Sequence, residues 1–343
     1  MFFGAGNIIF PLVLGRLCGT DIPAALFGLG LSAVAFPFLG LIAMMLYSGN
    51  IQSFLSRLGK WPAFFALLVL QLSQGPLGVM PRLFTLMHAS IKTYLPIGLL
   101  EFSFLVAILV FFLTYKPHRI IHLLGVILTP VLLATLALLV FMGWLHSSPM
   151  EVAPQDVSGF GMGLKLGYQT TDLIGALLFA TVILPHLSSK NGDPKQVKRQ
   201  MISASLIASA LLMAAYIGLC WTASRHAVHF GDVAPEELLQ RISIQILGPY
   251  GALISSSAAF LACLTTAISL ANVFAQYLRE DLLKGKWSHE VSLAITLAFT
   301  GAIANLGFSG IVKIWGPILD ALYPALILLC LVNIAWRRRV VAV

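Results

Sequence analysis

Charge is scarce in this chain. Only 10% of its 343 residues are charged and 59% are hydrophobic, whereas a soluble domain carries about 25% charged residues. With a mean hydropathy of +0.93, a soluble globular domain and a disordered chain are both excluded. Acidic residues are fewer than basic ones, 13 against 21, giving a net charge of +8. The basic residues lie in short segments between apolar runs, so the excess reads as membrane topology and excludes a nucleic-acid-binding face. Cysteine is also sparse: Cys18, Cys220, Cys263 and Cys330 lie far apart, in or beside apolar segments. Without a CxxC pair or metal spacing they exclude a disulfide scaffold and a zinc site, and read as small buried hydrophobes. No basic n-region precedes an apolar stretch, the first charge being Arg16, which argues against a cleavable signal peptide. No HExxH helix is present, and the histidines fall mostly at the ends of apolar runs.

What the chain does have is long apolar runs. A bilayer-spanning helix needs about 20 apolar residues, and on that criterion about ten spans are expected, at 1–18, 22–48, 61–80, 97–114, 120–144, 163–187, 200–223, 250–278, 290–306 and 309–336. Residues 50–58 and 82–95 read as short interfacial or loop helices. Segment 225–247 reads as the one sizeable polar loop, with a helix start at Ala234-Pro235-Glu236-Glu237. With alternating sides, about two thirds of the 21 lysines and arginines fall on one face. That bias makes it the cytoplasmic face and puts both termini there.

Ten spans divide as five plus five: a first repeat over 1–144, a connecting loop over 145–162 and a second repeat over 163–343. An odd number of spans per repeat means that the second enters the membrane in the opposite orientation. Each repeat opens on a polar interruption, Gly4-Ala5-Gly6-Asn7 in the first and Gly167-Tyr168-Gln169-Thr170-Thr171-Asp172 in the second. Glycine and proline free backbone groups that cannot face lipid, so such breaks line cavities or contact ligands. The expected fold is therefore an all-α polytopic membrane protein with two inverted repeats.

Several polar residues stand out at membrane depth. Asp172 is followed by an apolar run, and a carboxylate at a helix centre costs about 2.5–3.5 kcal/mol on insertion scales. It reads as a cavity residue, with a helix cap as the compatible alternative. Asn7 can donate to and accept from a ligand, and Gly4 and Gly6 leave the backbone unshielded; close helix packing is the competing reading of the glycines. On the eighth span, Ala262, Thr265, Thr266 and Ser269 recur at helical spacing. Their hydroxyls suit a sodium ion, or else bond back to their own helix. Asp320 is a second intramembrane carboxylate, free to pair with Lys313 or Arg82 or to serve a gate; Arg82 closes the third span as a gate or an interface anchor.

Through Gly4–Pro11, Gly75-Pro76-Leu77 with Pro81-Arg82, Gly167-Tyr168 with Thr170, Asp172 and Gly175-Ala176-Leu177, and Leu261–Ile268, the chain resembles the bacterial branched-chain amino acid:cation symporters. The likeness runs over essentially the whole chain. It implies a leucine-transporter-like fold with broken first and sixth helices. It further implies a carrier, not an enzyme, for leucine, isoleucine and valine, coupled to sodium or a proton, in the inner membrane. No other cofactor and no nucleic acid is implied. By motif, Gly4, Ala5 and Gly6 receive the substrate carboxylate, and Tyr168, Thr170 and Asp172 border the substrate. Phe3, Asn7, Ala262, Thr265 and Thr266 supply the cation site. The resemblance also has a longer first half-helix, so the first span here is truncated to Met1–Phe3 ahead of the break. This leaves two readings, a start codon placed too far downstream or an inactive remnant. An intramembrane hydrolase using Asp172 and Asp320 is the alternative from another class. The sequence does not choose between sodium and proton, rank the three amino acids or give the oligomeric state.

Overall fold

The computed structural model describes residues 4–18, 21–115, 129–146, 158–191, 193–227, 230–231 and 233–341. Among these the regular structure is helical, with no strand. Helix α1 is Ala5–Cys18; Gly4 precedes it, and Asn7 caps its first turn by accepting the Gly4 N–H at 2.9 Å. Helix α2 (Ile22–Gly30) passes through a π-helical turn at Leu31–Ala35 into α3 (Phe36–Leu46). Pro37 supplies the cause, since it lacks the N–H needed to continue the ladder. Short α4 (Ile51–Leu55) leads to α5 (Lys60–Gln74), and a Gly75–Gly78 break separates that from α6 (Val79–Ile91). Helices α7 (Leu99–Thr114) and α8 (Thr129–Leu145) complete the first part of the chain.

The remainder is α9 (Gly159–Thr170), α10 (Asp172–Asn191), α11 (Pro194–His226), α12 (Leu238–Tyr277), α13 (His289–Ala304) and α14 (Gly307–Val341). Within α12 the chain kinks at Gly248, whose φ of 68° leaves the helical region just before Pro249. The Pro235–Glu237 turn starts this helix where the sequence places it.

Helix α2 packs on α9, α3 on α10, and α1 on α11; α12 lies against α6 and α8, and α13 against α7. Two of these contacts are backbone to backbone: a Cβ at Gly163 would collide with the Ala25 carbonyl oxygen, and one at Gly15 with the Cys220 carbonyl. Small residues permit such approaches in membrane bundles. Large apolar side chains including Trp61, Phe65, Phe104, Phe112, Trp144, Ile207, Phe299 and Leu328 point outward. An apolar exterior on this scale suits lipid and not water.

Six helical stretches are long and apolar enough to cross a membrane: Ile22–Leu46, Lys60–Ile91, Gly159–Ser189, Lys195–His226, Gly251–Leu282 and Gly307–Trp336. Four shorter apolar helices accompany them, Ala5–Cys18, Leu99–Thr114, Leu133–Leu145 and His289–Ala304. The chain is thus an all-helical, multi-pass membrane protein. Two expectations change. Residues 82–91 are not interfacial: α6 runs to Ile91 with Met80 to Met87 buried, because the Gln169 carbonyl accepts a hydrogen bond from Arg82 and lets the helix continue inside the bundle. Segment 225–247 is not all loop, since Leu238, Leu239, Ile242 and Ile246 form a buried helical face.

Candidate functional site

The junction between α9 and α10 is one residue, Thr171, in the left-handed region at φ 61° and ψ 19°. A β-branched residue rarely adopts this conformation, so the surrounding structure must hold it. Side chains from α5 and α6 do so. Gln74 Nε2 donates to the Thr171 carbonyl at 2.7 Å, and Arg82 Nη1 donates to the Gln169 carbonyl at 3.0 Å. The Arg82 donor serves a carbonyl at the end of α9, while the Thr171 carbonyl is shared between Gln74 and the Gly175 N–H, at 3.0 Å, as α10 begins.

Opposite this junction lies the Gly4–Asn7 break. A Cβ on Gly6 would sit 3.0 Å from Thr170 Cα, so the two breaks touch. Asn7 joins them chemically. Its Nδ2 donates to Asp172 Oδ2 at 2.7 Å and also to Tyr216 Oη, while its Oδ1 holds the Gly4 N–H. Tyr216 Oη in turn donates to Asp172 Oδ2 at 3.2 Å. Asn7, Asp172 and Tyr216 are all buried. The carboxylate therefore has neutral donors around it, and among the described residues no lysine or arginine pairs with it.

On α12, Thr265 Oγ1 and Thr266 Oγ1 both donate to the Ala262 carbonyl, at 2.8 and 3.0 Å. Thr266 faces the first break, since a side chain placed on Gly4 would meet its Oγ1 at 3.6 Å. The two breaks and α12 enclose a cavity of about 30 Å³. Gly4, Ala5, Gly6, Asn7, Thr170, Thr171, Asp172, Gln74 and Thr266 form its polar wall, and Val79, Phe179 and Leu270, with Gly175, its less polar one. This space has room for a water or two, far less than an open small-molecule site, and polar groups converge on it as they do in such sites. A larger groove between α8 and α11, about 700 Å³, is lined by Leu133, Val140, Trp144, Leu211 and similar residues without a titratable side chain. It belongs to the apolar exterior, away from the polar breaks.

The sequence-expected residues divide accordingly. Gly4, Ala5, Gly6, Asn7, Thr170, Asp172 and Thr266 share one cavity wall, with Ala262 and Thr265 joined to it through Thr266. Phe3 lies outside the described residues. Tyr168 is not in the wall; its ring stacks on Tyr323 at 4.7 Å between centroids. Arg82 is buried on α6, whereas Asp320 is exposed, and among the described residues Asp320 pairs with neither Arg82 nor Lys313. Tyr216 and Gln74 are residues of this cluster that sequence reasoning missed. Tyr216 carries a phenol inside an apolar run, and a buried phenol needs a partner, which is the signal that was available. Among the described residues no three His, Cys, Asp or Glu side chains gather into a metal centre.

Comparison with known proteins gives a consistent identity. Residues 1–342 match the family described as "Branched-chain amino acid transport protein". The branched-chain amino acid permease BrnQ of Bacillus subtilis is 29% identical over 340 residues, covering 94% of this chain and 76% of that permease. BrnQ of Corynebacterium glutamicum is 29% identical over 344 residues, covering 97% and 78%. The branched-chain amino acid transport system 3 carrier protein of Pseudomonas aeruginosa is 28% identical over 338 residues, covering 96% and 77%. The match over the whole length, on a chain with two apposed helix breaks, places it in the branched-chain amino acid transport protein family, whose members are transporters and not enzymes.

Proposed function

We propose that this chain is a secondary active transporter that carries leucine, isoleucine and valine into the cell together with a cation. The observation that carries the proposal is the Asn7–Asp172 hydrogen bond, which ties two helix breaks 165 residues apart into one polar wall. Broken helices at corresponding positions are where transporters hold solutes. Gly4, Ala5 and Gly6 would take the substrate carboxylate, and Thr170 and Asp172 its ammonium end, with Tyr168 nearby. Val79, Phe179 and Leu270 offer an aliphatic surface for the side chain. The cation would be held by Asn7, Ala262, Thr265 and Thr266, with the Phe3 carbonyl upstream. Hydroxyl and carbonyl oxygens favour sodium, a hard cation.

The packing supports two inverted repeats, 1–144 and 163–343 around the connection 145–162, and a ten-span fold of the leucine-transporter kind. Exchanging the repeats turns the contact of α1 with α11 into that of α9 with α2. It likewise turns α12 on α8 into α6 on α14, and leaves α7 on α13 unchanged. The charge bias supports both termini in the cytoplasm of a bacterial inner membrane. Alternating access would then expose the cavity to each side, driven by the sodium gradient and by about 2.3 kcal/mol per charge per 100 mV of potential.

The surround of neutral donors at Asp172 favours a second reading of the coupling ion, a proton carried on that carboxylate. One experiment separates the two. The full chain in proteoliposomes should accumulate labelled leucine under an inward sodium gradient, and Thr265→Ala with Thr266→Ala should abolish sodium dependence without lowering expression. Uptake that follows a pH gradient and ignores sodium would move the coupling to Asp172. No uptake of any of the three amino acids would refute transport.

A further inference from the structure

The Gly75–Gly78 break between α5 and α6 is a third interruption beside the cavity. Gln74 stands immediately before it and Val79 immediately after it, and both line the cavity wall. Neither glycine is helical, with φ −85° and ψ −136° at Gly75 and φ −122° and ψ −90° at Gly78. The N–H groups of Leu77 and Met80 reach back to the Leu72 and Gly75 carbonyls at 3.3 Å each, long for backbone bonds. The Leu77 carbonyl has no helical donor, because the residue four positions on is Pro81, which lacks an N–H. Its donor comes from another helix. Trp315 Nε1, on α14, donates to that carbonyl at 2.6 Å, and Trp315 is itself buried. On the α12 side, a Cβ on Gly75 would stand 2.6 Å from the Phe274 ring, so the break is pressed against that helix.

A cavity of about 30 Å³ admits a leucine side chain only as a wall gives way. Phe179 and Leu270 stand inside α10 and α12, each held by the hydrogen-bond ladder of its own helix. Val79 is the first residue of α6, so its place depends on where the turn leaves the chain. The Leu77 carbonyl, two residues before it, is anchored by one indole. We propose that Trp315, outside the cavity wall, is a positioning residue that sets the depth of the side-chain pocket. By holding the Leu77 carbonyl it fixes how far Val79 reaches toward the substrate, a role that rests on branched-chain amino acids being carried in this cavity. Helix α14 thus limits the length of aliphatic chain accepted by a cavity that Trp315 does not touch. With the indole N–H gone, the turn yields to a longer side chain and Val79 withdraws under it.

The test is transport by the full chain in proteoliposomes, read as kcat/KM for leucine and for valine. Trp315→Phe keeps a ring and loses the N–H donor. Trp315→benzothienylalanine, introduced by codon suppression, exchanges only the N–H for sulfur and decides the matter if Trp315→Phe does not fold. Tryptophan inserted by the same route is its control. Leucine is one methylene longer than valine, so either variant should raise the leucine-to-valine ratio about tenfold, through a lower KM for leucine. In a Val79→Ala background the wall has little side chain left to withdraw, and the same exchange should leave the ratio unchanged. A general loss of packing would not give that non-additivity. An unchanged ratio in the benzothienylalanine protein, an equal loss for both amino acids, or the full shift retained on Val79→Ala would each overturn the role of Trp315. Failure of the unsubstituted chain to take up any of the three amino acids would refute the transport reading, and this role with it, and is measured first.

Discussion

Gly175 lines the cavity from α10, and replacing it with alanine isolates the role of cavity size. A Cβ there would stand 3.8 Å from Phe179 Cε2 and 3.9 Å from Gln74 Nε2, which is ordinary contact, so the protein accommodates the methyl without shifting. Alanine in place of glycine inside a helix also stabilises it, by about 0.5–1 kcal/mol. The added methyl takes space from a cavity of only about 30 Å³. One methylene in an apolar pocket discriminates by about 1–3 kcal/mol, or 10-fold and upward. Leucine is one methylene longer than valine, so Gly175→Ala should lower the leucine-to-valine ratio of kcat/KM about tenfold. Initial uptake rates of both labelled amino acids, alone and in competition, measure the ratio, and the unfolding midpoint of the purified variant should hold or rise. Gly6→Ala is the contrast: its Cβ would lie 3.0 Å from Thr170 Cα and 3.2 Å from Phe10, which forces the breaks apart and should depress both substrates together. An unchanged ratio in Gly175→Ala, or equal loss of both rates with a lowered midpoint, would refute the placement of the side-chain pocket.

Tyr216→Phe keeps the ring but removes the hydroxyl that donates to Asp172 and accepts from Asn7. A hydrogen bond to a charged group contributes about 1.5–3 kcal/mol, so leucine affinity should fall about tenfold or more with a lower midpoint; unaltered binding would show that the phenol only fills space. Glu236, in the polar segment before α12, has its carboxyl raised above the usual 4.5, first by burial, and its Oε2 lacks a partner. A raised carboxyl destabilises the fold where it is ionised, so its contribution is most favourable below 4.5 and is lost as pH rises through the folded value. Glu236→Gln should therefore raise the unfolding midpoint near neutral pH, and the gain should vanish on acidification, in a pH series of both proteins.

The apolar runs made the helices legible, because about 20 hydrophobic residues have few alternatives to a membrane. The α6 helix was misread for an intelligible reason: Arg82 in a run looks like its end, and only the fold shows the guanidinium enclosed. Asn7 and Asp172 were identifiable separately from the cost of burying them. Their mutual bond was not, because nothing local encodes a contact across 165 residues. Thr171 gave no warning of its left-handed backbone, a conformation for which glycine is the usual signal. Tyr216 was lost among neighbouring apolar residues, since a ring at helical spacing looks like core until its hydroxyl is placed.

The backbone contacts at Gly15 and Gly163 bear on how this sequence can drift. Any residue that a point change in a glycine codon introduces carries a Cβ, and at these two positions the Cβ collides with a carbonyl of the facing helix. No side chain is available there to turn aside, so the first substitution already separates α1 from α11 or α9 from α2. The outward leucines and phenylalanines face the opposite situation, where one apolar side chain substitutes for another against fluid lipid. Inheritance of this fold is therefore constrained most tightly where it has no side chain at all.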